Sequence, residues 1–345
     1  MRILLLIPTL TGAGAERQLA YLGSELQRRG HDVLVGFVYN GVGEWTADVP
    51  THRFPSYRPW SPRLIAASVR LMRAWKPDVV QTCLTRMDVA GGIAALLARV
   101  PFVIREPNSR ESYRDLKSSL RRVVGRRAAA IVANSSEGAA YWRNQRTFLI
   151  PNAVPAAAIA SVEPIARPDG VALALYVGRL EREKNVDVVL RACAAVMSER
   201  ELLLTICGQG PERERLEALA RELRIETRVR FAGFVENAWS HQRAADVVLL
   251  LSDFEGNPNV VSECFAAGTP MILSDIAAHR NLAGDDALFV PPRDASATAA
   301  AIRNVLDDRP SALERAGRAR TRVGQTTIAA MAAAYENVYA IVAAE

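Results

Sequence analysis

The chain is predicted to fold as two doubly wound α/β domains, each a parallel sheet with helices on both faces, arranged about a cleft. Three observations predict it. Apolar strand-like runs alternate with helical patterns along all 345 residues, the order that builds parallel sheets covered on both sides. The length exceeds the size at which a single core stops growing. The alternation breaks once, at 152–170 (NAVPAAAIASVEPIARPDG), which is rich in Ala and Pro and lacks periodicity. Strands start afresh at Val171.

In the first half the strand runs are ILLLI (3–7), DVLVGFV (32–38), DVVQ (78–81), FVI (102–104) and AIVA (130–133). In the second they are ALALYV (172–177), LLLTIC (202–207), VRFAG (229–233), VVLLLS (247–252) and PMILS (270–274). The expected organisation is a first domain over 1–155, a linker over 156–170, a second domain over 171–325 and a long helix over 326–345. Arg2, the ILLLI run and Ala13-Gly14-Ala15 imitate a secretory leader with its cleavage site. The run is short and broken by Pro8, so it reads as strand and loop. No apolar run approaches the roughly 20 residues of a membrane-spanning helix. Half of the residues are hydrophobic and 23% are charged, which excludes disorder. The four cysteines (83, 193, 207, 264) have no metal-ligand or redox spacing, so a reduced, cytoplasmic setting without disulfides is expected. No Asp-x-Asp pair occurs, and neither a metal ion nor another cofactor is expected.

The most informative stretch is SDFEGNPNVVSECFAAGTP at 252–270, with Glu255 and Glu263 separated by seven residues. It reads as a strand end, a turn through Gly256, Asn257 and Pro258, and a helix from Asn259. The start of a helix exposes unpaired amides and a partial positive charge, and so receives phosphate. Carboxylates there suit hydroxyl donors instead. Amides for phosphate beside two carboxylates for hydroxyls describe a sugar-nucleotide site. A capping acid and a solvated helical Glu is the plain alternative. A second element supports the sharper reading: in YVGRLEREKNVDVVLRA (176–192) an apolar strand ends at Gly178, and Arg179 and Lys184 flank a polar turn before a helix. A doubly wound sheet binds anions on such loops, at the carboxyl ends of its strands.

Together these two elements resemble the retaining glycosyltransferases of family four, which have the GT-B fold. The resemblance implies that the loop of Gly178, Arg179 and Lys184 holds a donor diphosphate, assisted by amides near Asn259 and Val260. It further implies that Glu255 touches the transferred sugar and Glu263 the ribose hydroxyls, and that Phe234 and Val235 lie at the base. The chain is similar to that family elsewhere too. Gly12, Gly14 and Glu16 stand in its first glycine-rich turn, where Gly permits positive φ and close backbone approach. The tail helix would cross back to the first domain. There is one departure. Where the family often carries a His after the strand at 78–80, this chain has Gln81, Thr82 and Cys83. Asp88, Glu106 and Asn108 are candidates for polar contacts on that acceptor side.

Charge is unevenly divided. Residues 1–155 hold 22 Lys and Arg against 11 Asp and Glu, and the remainder 21 against 26. Within the first half, 110–127 carries seven basic and two acidic residues. Such asymmetry suggests an anionic partner surface. Nucleic acid is not expected, because no recognition motif accompanies the charge; the inner face of a membrane is. Helical spacing places Arg114, Lys117 and Arg121 on one side of that segment, with Leu116, Leu120, Val123 and Val124 on another.

The resulting expectation is transfer of a sugar from a nucleotide-diphosphate donor to a glycan or lipid-linked acceptor, with retained configuration. Two rivals stay open. A GT-B sugar-nucleotide epimerase would turn over the donor without an acceptor, and a non-catalytic basic binding protein would show no affinity for nucleotide sugars.

Overall fold

The computed structural model describes residues 1–10, 14–40, 47–55, 61–107, 116–142 and 146–344, with Leu116 and Lys117 described by backbone alone. Gly12, Asn108 and Arg114 therefore lie outside the described residues. The chain divides into two compact units, Met1–Ala153 with Thr326–Glu345, and Val154–Gln325.

The first unit is built on a seven-stranded, wholly parallel sheet. In spatial order its strands are Thr51–Arg53, Asp32–Phe37, Arg2–Leu6, Val79–Cys83, Phe102–Glu106, Ala130–Ala133 and Thr147–Leu149. The apolar run that imitates a leader thus sits inside the sheet, paired on both sides. One face is covered by the helices Pro62–Trp75, Leu84–Ala98 and Leu116–Gly125, the other by Gly14–Arg28 and the terminal helix Ile328–Ala343. That last helix joins the first unit as expected. Its Met331, Ala332, Tyr335, Val338, Tyr339 and Val342 are buried there, and the Tyr339 hydroxyl donates to Gln81 Oε1 at 2.5 Å.

The second unit has a six-stranded parallel sheet ordered Val229–Gly233, Leu202–Cys207, Ala172–Val177, Val247–Leu250, Met271–Ser274 and Leu288–Val290. Chain order reverses between Ala172–Val177 and Val247–Leu250, which defines the switch point where such sheets bind ligands. Part of the expected irregular linker is helical, at Ala156–Ser161, with Ile159 buried in the second core. The sequence there is an alanine run, and alanine has the strongest helix propensity. Among the described residues no helix is long and apolar enough to cross a membrane. All four cysteines are free and buried.

Candidate active site

The carboxyl ends of Ala172–Val177 and Val247–Leu250 lead into the two loops singled out by sequence. Gly178 donates its amide to Cys207 O at 3.0 Å, Leu180 to Gln209 O at 2.8 Å, and Gly208 to Gly233 O at 2.7 Å. Three successive strand-to-helix loops are thereby tied together by backbone. Glycine is required at the crossing: a Cβ on Gly208 would lie 1.8 Å from Gly178 O. Neither Gly178 nor Gly14 adopts positive φ, so at Gly178 close approach, not an unusual backbone angle, is what the sequence supplies.

After the turn at Arg182–Lys184, Asn185 takes a left-handed conformation (φ 51°) and enters the helix Val186–Met197. Its buried amide donates to Leu251 O at 2.9 Å and Asp253 Oδ1 at 2.7 Å, while Asp253 N donates to Glu183 O at 2.8 Å. Arg293 holds the same Asp253 through both oxygens, at 3.1 and 2.5 Å. These bonds lock the two motif loops side by side. The consequence is an ion pair across them: Lys184 Nζ lies 2.7 Å from Glu255 Oε1, with both side chains largely buried. Ser252 Oγ donates to the same oxygen at 2.6 Å.

A second row of residues supports this pair from beneath. Ser274 Oγ donates to Ser252 O at 2.6 Å, and His279 Nδ1 lies 2.9 Å from Ser274 O. Burial pushes the pKa of His279 down. Tyr176 donates its hydroxyl to Arg179 O at 2.8 Å, and burial raises the phenol well above its ordinary pKa. Arg179 itself reaches outward, 66% exposed, and is paired with Glu181.

Gly256 and Asn257 form the turn, and the helix Asn259–Ala267 begins after Pro258 with neither a side-chain cap nor an acid in its first turn. Val260 opens that helix beside Asn259. Glu263 is buried on the same helix. Phe234 is exposed and Val235 partly buried, just beyond the strand Val229–Gly233. The second unit therefore gathers Gly178, Arg179, Lys184, Phe234, Val235 and Glu255–Glu263 along one edge of its sheet. Sequence reasoning did not single out Asn185, Ser252, Asp253, Ser274, His279 or Arg293. Nor did it single out the Gly208-Gln209-Gly210 turn after LLLTIC, whose two glycines were the available signal of a close approach; the others act through partners distant in sequence.

In the first unit Glu16 is buried and accepts the Thr9 hydroxyl at 2.8 Å. Asp88 and Glu106 require a correction. Expected to offer acceptor contacts, both are fully buried around Arg121, whose Nε lies 2.6 Å from Asp88 and Nη1 2.5 Å from Glu106. Thr82 donates to Asp88 at 2.7 Å and the Trp142 indole to Glu106 at 3.0 Å. Arg121 is likewise corrected: it points into the unit and not outward, because two buried carboxylates outweigh its pull toward water. Gln81 and Cys83 are also enclosed, the latter 3.8 Å from the Arg105 guanidinium.

Comparison with known proteins assigns the two halves. Residues 12–157 match the model of Glycosyltransferase Family 4 and residues 160–322 that of Glycosyl transferases group 1. A glycogen synthase of Mycobacterium tuberculosis is 37% identical over 161 residues; the match covers 45% of this chain and 38% of that protein's length. The 2-deoxystreptamine glucosyltransferase of Streptomyces kanamyceticus is 27% identical, with 75% of this chain and 76% of that protein covered. Among solved structures, Anabaena HepE in complex with UDP-glucose superposes with a TM-score of 0.86 at 20% identity, covering 99% of this chain and 100% of that one. With a family model on each half and the fold matched from end to end, the chain belongs to the GT-B glycosyltransferases, of the group 1 and family 4-like kind.

Proposed function

We propose that this protein moves a glycosyl group from a nucleoside-diphosphate sugar to an acceptor hydroxyl, with retained configuration and without a metal ion, in polysaccharide or glycolipid synthesis. The observation that carries this reading is the Lys184–Glu255 pair at the switch point, flanked by Arg179 and by the start of the helix Asn259–Ala267. As the bond from sugar carbon to diphosphate breaks, its electrons pass to the phosphate oxygen. Arg179, Lys184 and the amides near Asn259 and Val260 are suited to oppose that growing charge. The acceptor oxygen attacks from the face that the diphosphate leaves, and its proton passes to the departing diphosphate. Glu255, freed from Lys184 as phosphate takes the ammonium, accepts hydrogen bonds from the sugar hydroxyls. Glu263 does the same for the ribose. That HepE binds UDP-glucose on the same fold supports a nucleotide-sugar donor.

Two substitutions separate these roles. Glu263→Gln is expected to weaken free nucleotide and nucleotide sugar alike, by about 1.5–3 kcal/mol, as a charge-assisted bond to a hydroxyl is lost. Glu255→Gln is expected to lower turnover more than affinity for the free nucleotide. Calorimetry with nucleotide and rate measurements with the donor check both. If both variants bind nucleotide normally and turn over, the roles are misassigned.

A further inference from the structure

We infer that the outward face of the helix Leu116–Gly125, with the end of Leu84–Ala98, docks on an anionic lipid bilayer. This helix departs from the rule for water-facing helices. It buries one of its two arginines, Arg121, and exposes Leu120 (44%) and Val123 (57%) beside the other, Arg122. The same stripe continues to Arg127, with Arg122 and Arg126 beside it, all exposed. Asp88 meets Arg121, and a Cβ on Gly92 would lie 2.6 Å from Val124 Cγ1. The two helices therefore run side by side in the same direction. One turn beyond Gly92, Leu96 (44%) and Leu97 (59%) are exposed, followed by exposed Arg99. No Asp or Glu occurs in 89–105 or in 116–133.

The surface is thus apolar at its centre, cationic at its rim and free of acids in these two segments. Exposed aliphatic side chains set among arginines mark an interaction site. Its charge selects an anionic partner, and short aliphatic side chains between arginines fit the boundary of headgroups and acyl chains. The arginine stems can lie along the apolar surface while their guanidinium groups meet lipid phosphates. The occupant is a bilayer carrying anionic lipid. The arginines assigned here differ from those that helical spacing alone puts on one side, because Arg121 is spent inside the fold.

The test uses the full chain and two kinds of vesicle, phosphatidylcholine alone and phosphatidylcholine with about a quarter phosphatidylglycerol. Wild type should sediment with the anionic vesicles only, and salt should weaken the binding. Leu120→Ser with Val123→Ser should reduce partitioning roughly tenfold while leaving nucleotide binding unchanged. Arg126→Gln with Arg127→Gln should remove the preference for anionic lipid. Val123→Trp should shift its emission to the blue on anionic vesicles. Sedimentation that survives the serine pair, or a Val123→Trp emission that does not move, would overturn the proposal. So would wild type that ignores both vesicles, or that self-associates through this face, which would mark it as a protein interface.

Discussion

Arg179 and Lys184 already have carboxylate partners, and those partnerships differ in kind. Lys184 and Glu255 are mostly shielded from water, in a pair that a single missing member would leave as an uncompensated charge. Arg179 stands largely in solvent with Glu181, an arrangement that contributes little to stability and is readily exchanged for phosphate. Lys184→Ala should therefore disturb both the site and its folding, whereas Arg179→Ala should act almost purely on the reaction. Each is expected to lower turnover by roughly 100-fold, because the charge they oppose grows in the transition state. Initial rates with saturating donor, beside denaturant unfolding of each variant, separate the two effects. A chelator should leave wild-type turnover unchanged; its abolition would contradict metal-free transfer. A variant of either residue with undiminished turnover would remove it from the reaction.

The helices Leu84–Ala98 and Leu116–Gly125 and the strand Phe102–Glu106 are joined by Asp88, Arg121 and Glu106, a buried set with two carboxylates to one guanidinium. Burial pushes the Asp88 carboxyl up to about 6 from an ordinary 3.8. Between those two pH values the folded state holds a proton that the unfolded chain has released. The stability this contributes is fully present below about 3.8 and is lost as pH rises to about 6. Asp88→Asn cannot titrate. Its stability relative to wild type should therefore rise across that window, by up to about 1.4 kcal/mol per pH unit. Urea unfolding of both proteins at several pH values checks this; a difference that stays constant would mean that Asp88 remains ionised throughout. The same helices mark what the sequence could reveal. Central strands were legible because they are long apolar runs. Thr51–Arg53, Thr147–Leu149 and Leu288–Val290 were not, being three residues each on the sheet edges. Helical spacing located the stripe containing Arg121 but could not locate Asp88 and Glu106, which reverse its direction from 33 and 15 residues away. In the candidate site the motif residues were readable for the opposite reason, since turn, helix start and both glutamates are contiguous. The Asn185–Asp253–Arg293 bonds that align the motifs span 68 and 40 residues.

At the scale of the whole molecule, chemistry and charge are divided between the two units. The second unit carries the motif loops at the switch point of its sheet. The first, residues 1–153 with 326–345, holds 22 Lys and Arg against 13 Asp and Glu and the helix that exposes Leu120 and Val123. This division suits a donor held by one unit and an anionic surface met by the other. Glycosyl transfer from a nucleoside-diphosphate sugar is the claim on which the site assignments rest. It is tested most directly by incubating the purified chain with a series of nucleotide sugars and following each by mass spectrometry, with thermal unfolding in parallel. One donor should stabilise the protein, by about 2.7 kcal/mol at 100 times its dissociation constant. That donor should slowly release nucleoside diphosphate and free sugar, and Arg179→Ala should suppress the release. Donor that is isomerised while still attached to its nucleotide, or a protein that no nucleotide sugar stabilises and that cleaves none, would contradict the claim.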